Sequence, residues 1–121
     1  MKKKILLSAS LFHLLNDAAT VIVPMIFPLL YSQQFIIKKY FQIGILSNLA
    51  LLVTFLFQIL IASISDKIEY RHMLFCSYAG ICLSMAFITL SSSFASLLFI
   101  FLTMRAFTSF YHPIGVAWVS K

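Results

Sequence analysis

Residues Ile5–Leu30 read ILLSASLFHLLNDAATVIVPMIFPLL, a run in which Asp17 is the only carboxylate and no Lys or Arg occurs. A bilayer hydrocarbon core about 30 Å thick is crossed by roughly 20 apolar residues of helix. The run is longer than that, so tilt or kinking is expected, with Pro24 and Pro28 as the places for it. The preceding Lys2-Lys3-Lys4 has the look of a secretory leader. A leader's apolar stretch, however, is only about 7–15 residues long, and Ala18-Ala19 makes a poor cleavage site. The segment is therefore expected to be a retained first membrane helix.

Three further windows fit the same template: Phe41–Ser65, Met73–Leu90 and Phe94–Val119, the last containing Pro113. The connectors Tyr31–Tyr40, Asp66–His72 and Ser91–Ser93 are short enough for antiparallel neighbours. Composition agrees, with 62% of residues hydrophobic and 10% charged, against about 25% charged in an ordinary soluble domain. The expected fold is an all-α membrane protein, one bundle of four transmembrane helices over residues 1–121. The net charge of +6 does not signal nucleic acid, because the basic residues are scattered between apolar blocks rather than grouped in a patch. Lys2, Lys3, Lys4, Lys67, Arg71 and Lys121 fall on one side of the four spans, and Lys38 and Lys39 on the other. The positive-inside rule then puts both termini and the Asp66–His72 loop in the cytoplasm of a multi-pass protein of the plasma or inner membrane.

Arg105 is left inside the membrane, and it is not alone. His13, Asn16, Asp17, Thr20 and Pro24 share one face of the first span, and Arg105, Thr108, Ser109 and His112 repeat that 3–4 rhythm in the fourth. A thinner stripe, Ser47, Thr54 and Gln58 with Asn48 beside it, marks the second span. The third carries only Cys76, Gly80 and Ser84 on one line and is expected to face lipid. Hydroxyls in membrane helices mostly bridge backbone or neighbouring helices, each contributing about 0.6 kcal/mol, so Thr20, Thr54, Thr108 and Ser109 read as structural. A central Asp or Arg costs roughly 2.5–3.5 kcal/mol on insertion scales, which makes Asp17 and Arg105 functional candidates and an ion pair between them the expected arrangement. His112 is a further candidate, with an interfacial role as its alternative. Cys76 and Cys82, six residues apart on a helix, point to different faces; they read as buried small hydrophobes rather than a disulfide. The three histidines, in separate segments, show no metal-ligand spacing. No metal, no cofactor and no enzymatic nucleophile are expected.

The loop Ala62-Ser63-Ile64-Ser65-Asp66-Lys67-Ile68-Glu69-Tyr70-Arg71-His72-Met73-Leu74 resembles the major facilitator superfamily signature GxLaDrxGrRxxl. Asp66, Lys67, Arg71 and Leu74 match, while Ala62 and Glu69 replace the two glycines and Tyr70 a usual basic residue. The resemblance implies a gating loop in which Asp66 caps a neighbouring helix and Lys67 and Arg71 pair with acids. His13-Leu14-Leu15-Asn16-Asp17, with Pro24 and Pro28-Leu29-Leu30, looks like the opening of the fosmidomycin-resistance-like branch. Phe110-Tyr111-His112-Pro113 resembles that branch's Phe-His-Pro. Arg105 stands where the superfamily's fourth helix carries the arginine of RxxQG, although Thr108 and Ser109 replace the Gln and Gly. Members of this superfamily have twelve spans in two six-helix halves, each an inverted 3+3 repeat. The resemblance thus implies an N-terminal portion of a larger transporter that requires its remaining helices.

The function implied is a secondary active transporter moving a small solute by alternating access, as proton-coupled efflux or antiport. Asn16, Asp17, Arg105 and His112 are its candidate substrate and ion residues, and Asp66, Lys67 and Arg71 its gating loop. Two other readings stand beside it. A four-helix small multidrug-resistance-type exporter has this length and one carboxylate in its first helix, but dual-topology insertion needs nearly balanced loops, not a bias of six to two. A non-transporting subunit or remnant would expose its polar stripes to lipid.

Overall fold

The computed structural model describes residues 2–120, with side chains over 3–118. Lys121, counted above in the charge bias, lies outside the described residues. Among them are five α-helices and one short 3-10 turn, without a strand: α1 (Lys2–Ser32), α2 (Tyr40–Ile64), the turn Ser65–Lys67, α3 (Tyr70–Ile88), α4 (Phe94–Thr108) and α5 (Tyr111–Ser120). Four stretches are long and apolar enough to cross a membrane: Lys3–Ser32, Tyr40–Lys67, Tyr70–Ile88 and Phe94–Trp118. The last joins α4 and α5, so the fourth span is one crossing made of two helices.

That interruption has a local cause. Pro113 has no N–H to give the carbonyl four residues back, and its ring crowds that carbonyl, which belongs to Ser109. Helix α4 ends just before it, and Pro113 falls in the first turn of α5, where a proline is tolerated. Hydroxyls bond carbonyls of the last turn of α4. Thr108 Oγ1 donates to Arg105 O at 3.0 Å, and Ser109 Oγ donates to Ala106 O at 2.5 Å. Ser77 Oγ, from α3, reaches Phe107 O at 2.8 Å. By contrast, Pro24 and Pro28 lie inside an unbroken α1. Nearby, Thr20 Oγ1 bonds Asn16 O at 2.9 Å.

Other ends follow ordinary capping chemistry. Ser93 opens α4 with a capping box, its hydroxyl accepting from Ser96 N at 3.2 Å while Ser96 Oγ accepts from Ser93 N at 3.1 Å. The α1–α2 connector turns at Gln34, whose φ of 51° is left-handed; its side chain bonds Tyr31 O at 2.9 Å. The connector then drives Ile36 and Ile37 back into the protein interior, where both are buried.

Two apolar clusters hold the helices together. Val23, Phe27, Ile36, Ile37, Leu46, Ala50, Leu97, Phe101 and Met104 form the one at the α1–α2 connector end, with Phe27 and Phe101 edge to face at 5.0 Å between ring centres. Ile61, Met73, Leu74, Tyr111 and Ile114 form the other, at the α2–α3 loop end. Between them in sequence and along the helices lie the buried polar residues Asn16, Arg105, Thr108 and Ser109.

The third helix departs from its sequence reading. Its buried line is Ser77, Gly80, Ile81 and Ser84, packed on α4, rather than Cys76, Gly80 and Ser84 facing lipid. A Cβ on Gly80 would come within 2.4 Å of the Phe107 ring, so that glycine is where α3 and α4 touch. Cys76 and Cys82 are both free and exposed, not buried. Each lies one position to the side of a buried residue, about 100° round the helix from the α4 contact. The outward faces remain apolar, with Leu7, Met25, Phe75, Leu90, Phe99 and Val116 all more than two-thirds exposed, as expected of surfaces that meet hydrocarbon.

Candidate functional site

Helix phase decides which polar residues of α1 enter the core. Asn16, Ala19, Val23 and Phe27 are its buried line, and Asn16 is 1% exposed. Asp17, one residue on, is turned about 100° away and its side chain is 49% exposed. There it meets His13 one turn back, His13 Nδ1 lying 3.0 Å from Asp17 Oδ2. Across the groove, α5 presents Tyr111 and His112. The His13 ring packs edge-on against both, at 5.3 Å from Tyr111 and 5.4 Å from His112 between ring centres. One ligand atom each from His13, Asp17 and His112 lies within 4.8 Å of the others. These histidines come from segments about a hundred residues apart in the chain, and spacing alone had given no metal-ligand pattern; the bundle brings them together.

This cluster borders an open groove of about 620 Å³ lined by Leu6, Ala9, Ser10, His13, Tyr111, His112, Gly115 and Val116. Two tyrosines, which the sequence reading did not single out, fix α1 against its neighbours. The Tyr111 hydroxyl donates to Ala9 O, and the Tyr78 hydroxyl, from α3, donates to Phe12 O at 2.5 Å. The available signal was weak, a polar-tipped aromatic in each of two spans.

Arg105 is buried at 8% exposure and faces α2, where Nε donates to Thr54 Oγ1 at 3.1 Å. Thr54 in turn donates to Ala50 O at 2.8 Å. The expected Asp17–Arg105 ion pair is not formed among the described residues: Asp17 pairs with His13, and Arg105 with Thr54. The reason is again rotational, since α4 directs Arg105 to α2 while the α1 residue on the inward face is Asn16. The Asn16 side-chain oxygen is buried and has no hydrogen-bond partner among the described residues. Of the α2 stripe, Ser47 and Asn48 are exposed, whereas Thr54 and Gln58 are partly buried.

After α2, Asp66 and Lys67 in the 3-10 turn and Arg71 in the first turn of α3 are exposed and form no ion pair among the described residues. Glu69 pairs instead with His72, at 3.2 Å. Helix α3 starts from Glu69 with no side-chain cap, so Asp66 does not cap it here. Arg71, with Phe12, Tyr70, Leu74, Tyr78 and Trp118, borders a second groove.

Compared with known proteins, the chain matches the family described as Major Facilitator Superfamily over residues 8–121. No curated protein and no solved structure gives a match.

Proposed function

Since the chain belongs to the major facilitator superfamily, a family of multi-pass membrane transporters, we propose that it serves secondary active transport of a small solute by alternating access. The observation that carries this reading is the polar layer at the interrupted fourth span. Discontinuous helices near the bilayer midplane are how transporters of several folds build their sites. Here such a break stands beside the Asp17–His13–His112 cluster and the buried Arg105. In this proposal Asn16, Asp17, Arg105 and His112 contact substrate or a coupling proton. Asp66, Lys67 and Arg71 form a cytoplasmic latch that is unpaired in this state; in another, Asp66 caps a neighbouring helix while Lys67 and Arg71 engage acidic partners. Efflux by antiport, kinship with the fosmidomycin-resistance-like branch, a plasma or inner membrane location and a need for further helices belong to the same proposal. The family membership removes the small multidrug-resistance-type alternative.

Arg105 bears the sharpest test. In membrane vesicles, Arg105→Gln and Asp17→Asn are each expected to lower solute flux at least about tenfold while the protein still inserts. The basis is that a buried charge without an opposite partner is retained at a cost of some 2.5–3.5 kcal/mol. Wild-type flux in both variants overturns the assignment.

A further inference from the structure

We propose that His13, Asp17 and His112 form a binding site for a divalent transition-metal ion of the Zn²⁺ class, open to the groove between α1 and α5. The geometry carries it first. Ligand atoms about 2.0–2.2 Å from a shared ion stand roughly 3.3–3.6 Å apart in a tetrahedral shell. The His13 Nδ1–Asp17 Oδ2 separation of 3.0 Å is a hydrogen-bond distance that needs to open by only about 0.3–0.6 Å to become one edge of such a shell. The third ligand, from His112, lies with these two inside a 4.8 Å limit, at most about 1.5 Å beyond such an edge.

Donor chemistry selects the ion. Two imidazoles and one carboxylate are borderline ligands that suit Zn²⁺, Co²⁺, Ni²⁺ or Cu²⁺; Mg²⁺ and Ca²⁺ prefer oxygen alone, and Cu⁺ prefers sulfur. The thiols of the chain, Cys76 and Cys82, lie on α3 and take no part in the cluster. Three protein ligands leave a coordination position facing the groove, the pattern of an exchangeable rather than a closed structural site.

Electrostatics supplies the third argument. Among the described residues Asp17 has no Lys or Arg partner, and Arg105 is engaged by Thr54 on another face of the bundle. A bound dication beside Asp17 would offset the cost of a carboxylate charge within the span. The ring contacts of His13 with Tyr111 and His112 restrict its orientation before any ion arrives. The proposal deepens the transport reading and rests on it for passage of the ion, but the binding stands without it.

The test is Zn²⁺ titration by calorimetry, and Co²⁺ titration by visible absorption, of the untagged full chain in lipid nanodiscs. One ion per chain is expected, with the Co²⁺ spectrum of nitrogen–oxygen coordination. Losing a ligand should weaken binding at least as much as losing an outer-shell partner, about 10–100-fold. Asp17→Asn, His13→Ala and His112→Gln are each expected to show that loss. His72→Ala, at a residue that pairs with Glu69 and is not a member of the cluster, should leave binding unchanged. The wild-type chain is decisive even where a variant fails to insert: no coordinated Co²⁺ spectrum overturns the site. So does Zn²⁺ affinity indifferent to Asp17→Asn and His112→Gln. Bound Zn²⁺ without solute movement in vesicles overturns the transport reading and leaves the site standing. Solute movement with no metal bound does the reverse.

Discussion

Thr54 shows how much a single hydroxyl carries in this bundle. It donates to Ala50 O and accepts from Arg105 Nε, so one side chain both satisfies its own helix and holds the buried guanidinium against α2. Interhelical hydrogen bonds within membranes average about 0.6 kcal/mol and rarely exceed about 1.7. Thr54→Val keeps the shape and removes the acceptor, and is expected to lower stability by roughly 1–2 kcal/mol, at or slightly above that range because the donor is charged. Thr54→Ser is expected to restore most of it. Unfolding in mixed detergent micelles measures both, and equal stability of the valine and serine variants would mean that Arg105 finds its partner elsewhere. The same scale explains why Asp17 and Arg105 were expected to meet. Their depths follow from counting residues, but their directions depend on the rotation of α1 and α4, which counting does not supply.

At the level of helices, α3 and α4 are joined by close approach more than by any polar contact. Gly80 faces the Phe107 ring with no room for a Cβ, and Ser77 bonds the Phe107 carbonyl just before the break. Small residues that let helices approach are a main source of packing energy where no hydrophobic drive exists between them. Gly80→Val is therefore expected to cost about 1–3 kcal/mol through overpacking. A second substitution, Phe107→Ala, should recover part of that loss, because it vacates the volume the new side chain needs. Thermal denaturation of the two single variants and the double variant reads the coupling; strict additivity would show that the two residues do not touch. Sequence placed Gly80 and Ser84 correctly on one line of α3 but chose Cys76 as its third member where the structure has Ser77. Both choices fit a helical period, and only the position of α4 distinguishes them.

Over the whole molecule, the described helices pack apolar surface around a thin polar layer, and the proposed orientation in the bilayer rests on charges at the ends of the spans. On the positive-inside rule, Lys2, Lys3, Lys4, Lys67 and Arg71 against Lys38 and Lys39 lead us to propose that the α2–α3 loop is cytoplasmic and the Ser91–Ser93 connector outside. With Cys76 and Cys82 replaced by Ala, a cysteine at Ser92 should react with an impermeant maleimide in intact cells. One at Glu69 should react only after permeabilisation. Equal reaction of both would mean mixed insertion and would withdraw the cytoplasmic assignment of the latch.

Sequence by itself determined the solvent of this chain and the number of its crossings. The density of apolar residues, the length of each run and the scarcity of charge follow from composition and need no partner to interpret. It also marked Asn16, Asp17, Arg105 and His112 as unusual, because a polar group in hydrocarbon is costly wherever its neighbours lie. Tertiary structure alone decided which of these meet. Asp17 joins His13 and His112, while Arg105 turns to Thr54. That choice arises from how α1, α4 and α5 pack, with α4 and α5 separated by the break before Pro113. Such rotations are fixed by packing between residues far apart in the chain, and a period read along one helix contains no information about the phase of the next.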